Sequence, residues 1–208
     1  MNSLRWRYEG PAPFIAAQRD YQPVRLILDC ADGLPAETRV RFVLGNFRSF
    51  RDGDRTSPPH WLLEKVTVTD GSGAEISVIE TLHGPPNQFH EMVALMSQGR
   101  PHQFPLCAMR AKQALSVGSK VTVHLRGMLS PHAGVHGKIW MEVCRPGETA
   151  FVRVGESLPL RNVPGPVTRL EARATPHGDD PTRTRLIVLA TDALLNPVEI
   201  LSSVKIAL

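Results

Sequence analysis

The feature that most narrows the folds open to this chain is period-two alternation. In Val24-Arg25-Leu26-Ile27-Leu28-Asp29-Cys30, residues 24, 26, 28 and 30 fall on one apolar face. Residues 39–44 repeat the pattern with Val40, Phe42 and Leu44, and residues 120–125 with Val121, Val123 and Leu125. Further runs lie at 63–68, 76–79, 138–143, 151–154, 169–174 and 185–189. Successive side chains of a strand point to opposite faces, so this pattern, rich in Val, Ile and Thr, predicts half-buried antiparallel strands. Helical spacing fits only two stretches: 88–97, with Phe89, Met92, Val93 and Met96 on one side, and 106–115. Both are expected to be short helices decorating a sheet protein. The predicted class is all-β, an antiparallel β-sandwich.

Turn residues sit where such strands should end, at Asp32-Gly33, Asp70-Gly71-Ser72-Gly73, Pro146-Gly147 and Asn196-Pro197. The 16 glycines and 18 prolines exceed the ordinary share of about 12%, which disfavours a helical bundle. A shift of 81 positions aligns Leu34-Pro35-Ala36-Glu37-Thr38 and the strand after it with Leu115-Ser116-Val117-Gly118-Ser119 and the strand after that. Two explanations stand: a turn-plus-strand grammar common to sandwiches, or two related halves of one sandwich.

Pro164-Gly165-Pro166 marks a boundary, because neither proline donates a ladder hydrogen bond. The expected organisation is a sandwich over 1–161, a linker over 162–166, and a partial immunoglobulin-like domain over 167–208. A sandwich domain needs about seven strands and about 100 residues. The final segment offers three or four strands, so its apolar face is expected to pack on the first domain, on another chain, or on the rest of a longer protein of which this is a fragment.

The chain carries 24 Lys and Arg against 20 Asp and Glu, a net charge of +4 with a pI near 9.2. The basic residues are scattered, and the densest stretch, 48–55, also holds Asp52 and Asp54. That spread argues against nucleic acid as a partner. No apolar leader follows Met1 and no apolar run approaches the length of a membrane span, so neither a secretory signal nor a membrane helix is expected, and the cytoplasm is the default location. Cys30, Cys107 and Cys144 are too sparse and too far apart for a disulfide framework or a structural zinc site.

Eight histidines raise a metal hypothesis. His132 and His136 are spaced to share one helical face, but Pro131 and Gly134 favour a loop there and no carboxylate lies between them. His83 and His90 bracket Gly84-Pro85-Pro86-Asn87, and His90-Glu91 lacks the second histidine of a zincin motif. Both pairs are weak metal candidates beside the simpler reading of surface histidines. No nucleophile elbow, phosphate loop or dinucleotide fingerprint occurs, so no catalytic and no cofactor-binding residue is assigned. Cys107, ahead of an expected short helix, is the one thiol whose pKa a helix terminus would lower. Trp140 is expected in the core, alternating inward with its Ile-type neighbours. Trp61, after Pro58-Pro59-His60, is the better candidate of the two for a surface aromatic, yet core or interface is the expected place for it.

The pieces Leu115-x-x-Gly118-x-x-Val121-Thr122-Val123, Gly137-Lys138-Ile139-Trp140, Val163-Pro164-Gly165-Pro166-Val167-Thr168-Arg169-Leu170 and Ala190-Thr191-Asp192-Ala193-Leu194-Leu195-Asn196-Pro197 resemble the N-terminal β-region of a bacterial protein family. Its longer members carry a later metal-dependent hydrolase domain of the polymerase-and-histidinol-phosphatase-like (PHP-like) kind. The resemblance covers the second half of the chain and implies an accessory β-domain. It carries no metal ligand over, because the Asp-Leu-His-x-His strand of the catalytic domain is missing from these residues. The expected function is therefore a non-catalytic interaction module whose partner is a hydrolase domain or subunit, or a second copy of the chain. Two alternatives stand beside it: a small metal-dependent hydrolase using His132 and His136, and a sandwich that binds carbohydrate or a small ligand through Trp61 and the Phe47/Phe50 loop.

Overall fold

A computed structural model describes residues 4–15, 22–45, 61–83, 103–127, 134–178 and 180–199. Its strands are β1 (Leu4–Glu9), β2 (Phe14–Ile15), β3 (Gln22–Cys30), β4 (Arg39–Gly45), β5 (Trp61–Thr69), β6 (Ile79–His83), β7 (Gln103–Ala111), β8 (Ser119–Gly127), β9 (Gly134–Cys144), β10 (Val152–Val163), β11 (Arg169–His177) and β12 (Asp180–Thr191). The first ten form two sheets, ordered β1-β3-β8-β5 and β2-β10-β9-β4-β7-β6, while β11 and β12 form a separate hairpin. Every pairing is antiparallel except that of β2 with β10. The protein is all-β, as the alternation requires.

The core lies between the two sheets. Val24, Leu26, Leu28 and Cys30 of β3 and Val121, Val123 and Leu125 of β8 meet Val40, Phe42 and Leu44 of β4 and Ile139, Met141 and Val143 of β9, all of them buried. Removing this apolar surface from water is the main force closing the sandwich. One strand needs a correction of register to join. In β5 the alternation slips between Leu63 and Val66, and a bulge there restores it: Leu63 faces Leu125, and Val66 then faces Val123.

The 81-residue repeat extends to single hydrogen bonds. Leu34 and Leu115 pair with each other, amide to carbonyl in both directions, at 3.1 and 2.8 Å. Each then leads into the same turn, closed by Thr38 N–H to Pro35 O in one copy and by Ser119 N–H to Ser116 O in the other. The equivalent residues Glu37 and Gly118 both adopt positive φ, +64° and +79°. One copy delivers β4 to the six-stranded sheet, the other β8 to the four-stranded sheet.

Three expectations are corrected. Residues 106–111 belong to β7, not to a short helix. Leu106, Cys107, Ala108 and Met109 are consecutive and buried, because β7 runs between β4 and β6 with both faces covered, and such a run has no period to read. Trp140 is buried, but not with its Ile-type neighbours: Ile139 and Met141 point into the core, whereas Trp140 packs with Val43 on the opposite face of the six-stranded sheet. On that face Glu142 accepts hydrogen bonds from Arg41 Nε (2.7 Å) and Trp140 Nε1 (2.8 Å), and the Arg41 guanidinium lies 4.0 Å over the Phe151 ring. Asn162 and Val163, placed in the linker by the sequence, continue β10, where they pair with Phe14 and Ile15. The expected helix at 88–97 lies outside the described residues.

Candidate functional site

β11 and β12 pair in unbroken register from Arg169–Thr191 to Pro176–Thr184. Directly opposed residues share a face. Leu170, Ala172 and Ala174 therefore lie beside Ala190, Val188 and Leu186 on a face without a charge, and Arg169, Glu171 and Arg173 take the other. Glu171 forms ion pairs with both of those arginines. Ala190 is buried on the apolar face, but the two leucines of that face are open: Leu170 is 60% and Leu186 41% exposed. Among the described residues ten large hydrophobics are exposed, and six of them (Val167, Leu170, Leu186, Ile187, Leu189 and Leu195) belong to this short part of the chain. The sandwich hides its apolar side chains and the hairpin displays them. Among the described residues the two strands pack on each other and on no other strand to a comparable extent.

The hairpin's root is rigid where its face is bare. Asp192 is 1% exposed, and its carboxylate accepts from Gly165 N–H (2.9 Å), Leu194 N–H (2.8 Å), Asn196 N–H (2.9 Å) and Asn196 Nδ2 (2.9 Å). Burial alone would push this carboxyl up; the Asn196 side chain and the three amides outweigh it and hold the pKa below the ordinary Asp value. Leu195 takes φ +64° to close the loop, and Asp192 N–H reaches back to Asn196 O at 3.0 Å. Gly165 sits between two prolines, so the bond from its amide ties the end of β12 to the segment that leaves the sandwich. Asp192 thereby fixes where the hairpin starts.

The sequence candidates for chemistry do not converge. His132 and His90 lie outside the described residues, as do Phe47 and Phe50. His136 is a residue of strand β9, so the helical geometry its spacing with His132 would need is absent there. His83 ends β6, three strand spacings from β9, or about 14 Å. Among the described residues no three His, Cys, Asp or Glu side chains are grouped to hold a metal ion. Cys107 is not at a helix terminus; burial pushes its thiol up to about 12, and burial together with the nearby Asp29 charge lifts Cys30 to about 11. All three cysteines are free and buried.

Trp61 lies in the core, the place expected for it, and the surface-aromatic alternative falls away. It is 2% exposed, stands edge-on to Phe14 at 6.1 Å, and lies so close to Gly127 that a Cβ there would come within 2.5 Å of the indole. The alternation in 169–174 and 185–189 and the small number of strands after it predict an apolar face in need of cover; which residues of that face stand open is visible only in the structure. The role of Asp192 was visible only as turn chemistry in Asp192 to Pro197.

Together these observations define a β-sandwich module with an appended hairpin on which, among the described residues, no second sheet is laid. No family model matches the sequence, and no curated protein matches it. Among solved structures, a CBM3a-L domain with flanking linkers, from the scaffoldin CipA of the Clostridium thermocellum cellulosome, is 8% identical. The match covers 74% of this chain and 91% of that one, with a TM-score of 0.38. The C-terminal domain of the Streptococcus pyogenes antigen I/II-family protein AspA is 14% identical over 76% of this chain and 46% of that one, at a TM-score of 0.35. AvmM, described as catalysing macrocyclization in alchivemycin A biosynthesis, is 10% identical over 81% and 93%, at 0.39. Likeness at this level assigns neither family nor function.

Proposed function

We propose that this chain is a non-catalytic β-sandwich accessory module that uses the apolar face of the β11–β12 hairpin to hold a catalytic partner, a metal-dependent hydrolase of the PHP-like kind. The observation that carries the reading is that Leu170 and Leu186 stand exposed on the uncharged face of a two-stranded sheet on which, among the described residues, no other strand is laid. A hairpin alone is marginal in water. Covering a Leu or Val side chain contributes about 1.5–3 kcal/mol, so a partner surface laid over Leu170, Leu186 and Val188 would stabilise the hairpin and gain affinity from it. The choice of partner rests on the sequence resemblance, in which a β-region of this type precedes such a hydrolase domain. The alternative of a ligand platform built on Trp61 loses its aromatic to the core.

The test mixes the purified chain with a purified PHP-like hydrolase domain from the same genome and reads the complex by analytical ultracentrifugation. A complex that forms with the wild type and is lost in Leu170→Arg and Leu186→Arg, with the sandwich melting unchanged, is the expected result. A chain that binds no such hydrolase overturns the proposal. Self-association abolished by the same two variants would give this face to a second copy and overturn the hydrolase assignment.

A further inference from the structure

A second surface, in which the hairpin takes no part, lies where the two sheets meet edge to edge. On one side runs β1, the outermost strand of the four-stranded sheet. On the other runs β10, whose outer edge is paired, among the described residues, only at Asn162 and Val163. Two adjoining clefts that share Tyr8 and Leu158 follow the seam. One of about 360 Å³ lies between residues 4–8 and 155–158, and one of about 450 Å³ is lined by Pro11, Pro13, Leu158, Leu160 and Val163 among others.

The two sides differ in what they offer an incoming strand. β10 leaves its ladder with β9 between Val154 and Leu158, with Gly155 at φ +73°, and Pro159 has no N–H to give. β1 matches β3 residue for residue from Leu4 to Glu9, without a shift and without a proline. Its outer N–H and C=O groups therefore form a regular row, the template that an added strand requires. β10 is the wall of the seam and β1 its template. Trp6 of β1 lies against this turn, since a Cβ on Gly155 would stand at ordinary contact distance, 3.4 Å, from its Cδ1 and Nε1.

The charges are unbalanced. Arg7 is engaged by Asp29 at 2.5 Å and by Glu9 at 3.5 Å. Arg5 in the first cleft and Arg161 in the second form neither an ion pair nor a hydrogen bond among the described residues, and Glu156 is the one carboxylate lining either cleft. A strand laid along β1 meets these two guanidiniums with an apolar hollow between prolines beside them.

We propose that the seam binds an extended acidic segment of a partner protein, added as a further strand along β1. Its main chain completes the outer row of β1, an apolar side chain enters the cleft at Pro11, Pro13 and Leu158, and its carboxylates face Arg5 and Arg161.

The experiment measures fluorescence anisotropy of labelled synthetic peptides with the full chain. It uses one peptide alternating Val and Glu, one alternating Val and Lys, and the Val/Glu peptide N-methylated at every second residue. The Val/Glu peptide should bind, with the Val/Lys peptide at least tenfold weaker and the N-methylated one lost. Arg5→Glu and Arg161→Glu should each weaken binding about tenfold, Arg5→Glu by replacing a favourable cross-strand pair with a repulsive one and Arg161→Glu by setting a like charge on the wall against the peptide's carboxylates. Leu170→Arg should leave binding unchanged, which separates this result from that of the hairpin. Equal binding of both charge types, binding that survives N-methylation, or no binding at millimolar peptide overturns the proposal.

Discussion

The β3–β8 pair and the β11–β12 pair obey one rule and meet opposite fates. In the first, Leu26 stands across from Val123 and Leu28 across from Val121, and all four are shielded from water. In the second, Leu170 stands across from Ala190 and Leu186 across from Ala174, and both leucines remain largely in solvent. Register, pleat and alternation are the same. What differs is a second sheet: β4 and β9 lie over the inner face of β3 and β8, while among the described residues no second sheet lies over β11 and β12, where Ala190 is buried but Leu170 and Leu186 are left exposed. Alternation decides which side chains share a face. It does not decide what covers that face, and the energy of folding comes from the cover.

The largest test of this contrast is truncation on each side of it. Phe42 is fully buried and meets Trp6 edge-on at 5.7 Å, so Phe42→Ala should cost about 3–5 kcal/mol in urea unfolding. Leu186→Ala in the hairpin should stay within about 0.5 kcal/mol. Comparable losses at both positions would mean that the hairpin is packed after all.

A smaller effect sharpens where the hairpin's order comes from. Asp192→Ala removes the acceptor of four hydrogen bonds and should weaken the hairpin root by about 1–3 kcal/mol, read as faster amide exchange at Leu194 and Asn196. Its pH dependence follows from the lowered pKa. The contribution is complete above the ordinary Asp value and is lost as the pH falls below that value through the folded one, so protection at the root should fade only in strong acid. Protection unchanged in Asp192→Ala would remove this residue from the account.

The smallest effect compares the two copies of the repeat. Glu37 sits at φ +64° where its equivalent, Gly118, sits at +79°, and a non-glycine residue is strained there. Glu37→Gly should stabilise the chain by up to about 1 kcal/mol and Gly118→Ala should destabilise it by about as much. If both substitutions shift the melt in the same direction, the two turns are not equivalent.

Much of the sandwich was legible because its strands bury one face each. The inward sets of β3, β4 and β8 could be named from spacing alone. β7 could not, since Leu106 to Met109 is buried on both faces and therefore carries no period. Trp140 was read as core for the right chemical reason and put on the wrong side, because β9 also buries part of its outer face around the Arg41–Glu142 pair. A buried pair of this kind gives no local signal, as its members lie far apart in sequence. The core is the expected place for Trp61, but the reason it fits there could not be read: Gly127 on the neighbouring strand leaves the space that its indole fills. Of the hairpin, the strands, the turn chemistry and the shortage of strands to cover its apolar face could be read, while which residues of that face stay exposed is a tertiary fact with no local trace.

Amide hydrogen exchange of the isolated chain, resolved by strand, tests the central contrast most directly. The account predicts that β3, β4, β8 and β9 exchange only on global unfolding, while β11 and β12 exchange orders of magnitude faster and slow markedly when a partner covers their apolar face. Protection of β11 and β12 equal to that of β3 and β8 in the dilute, monomeric chain would contradict it.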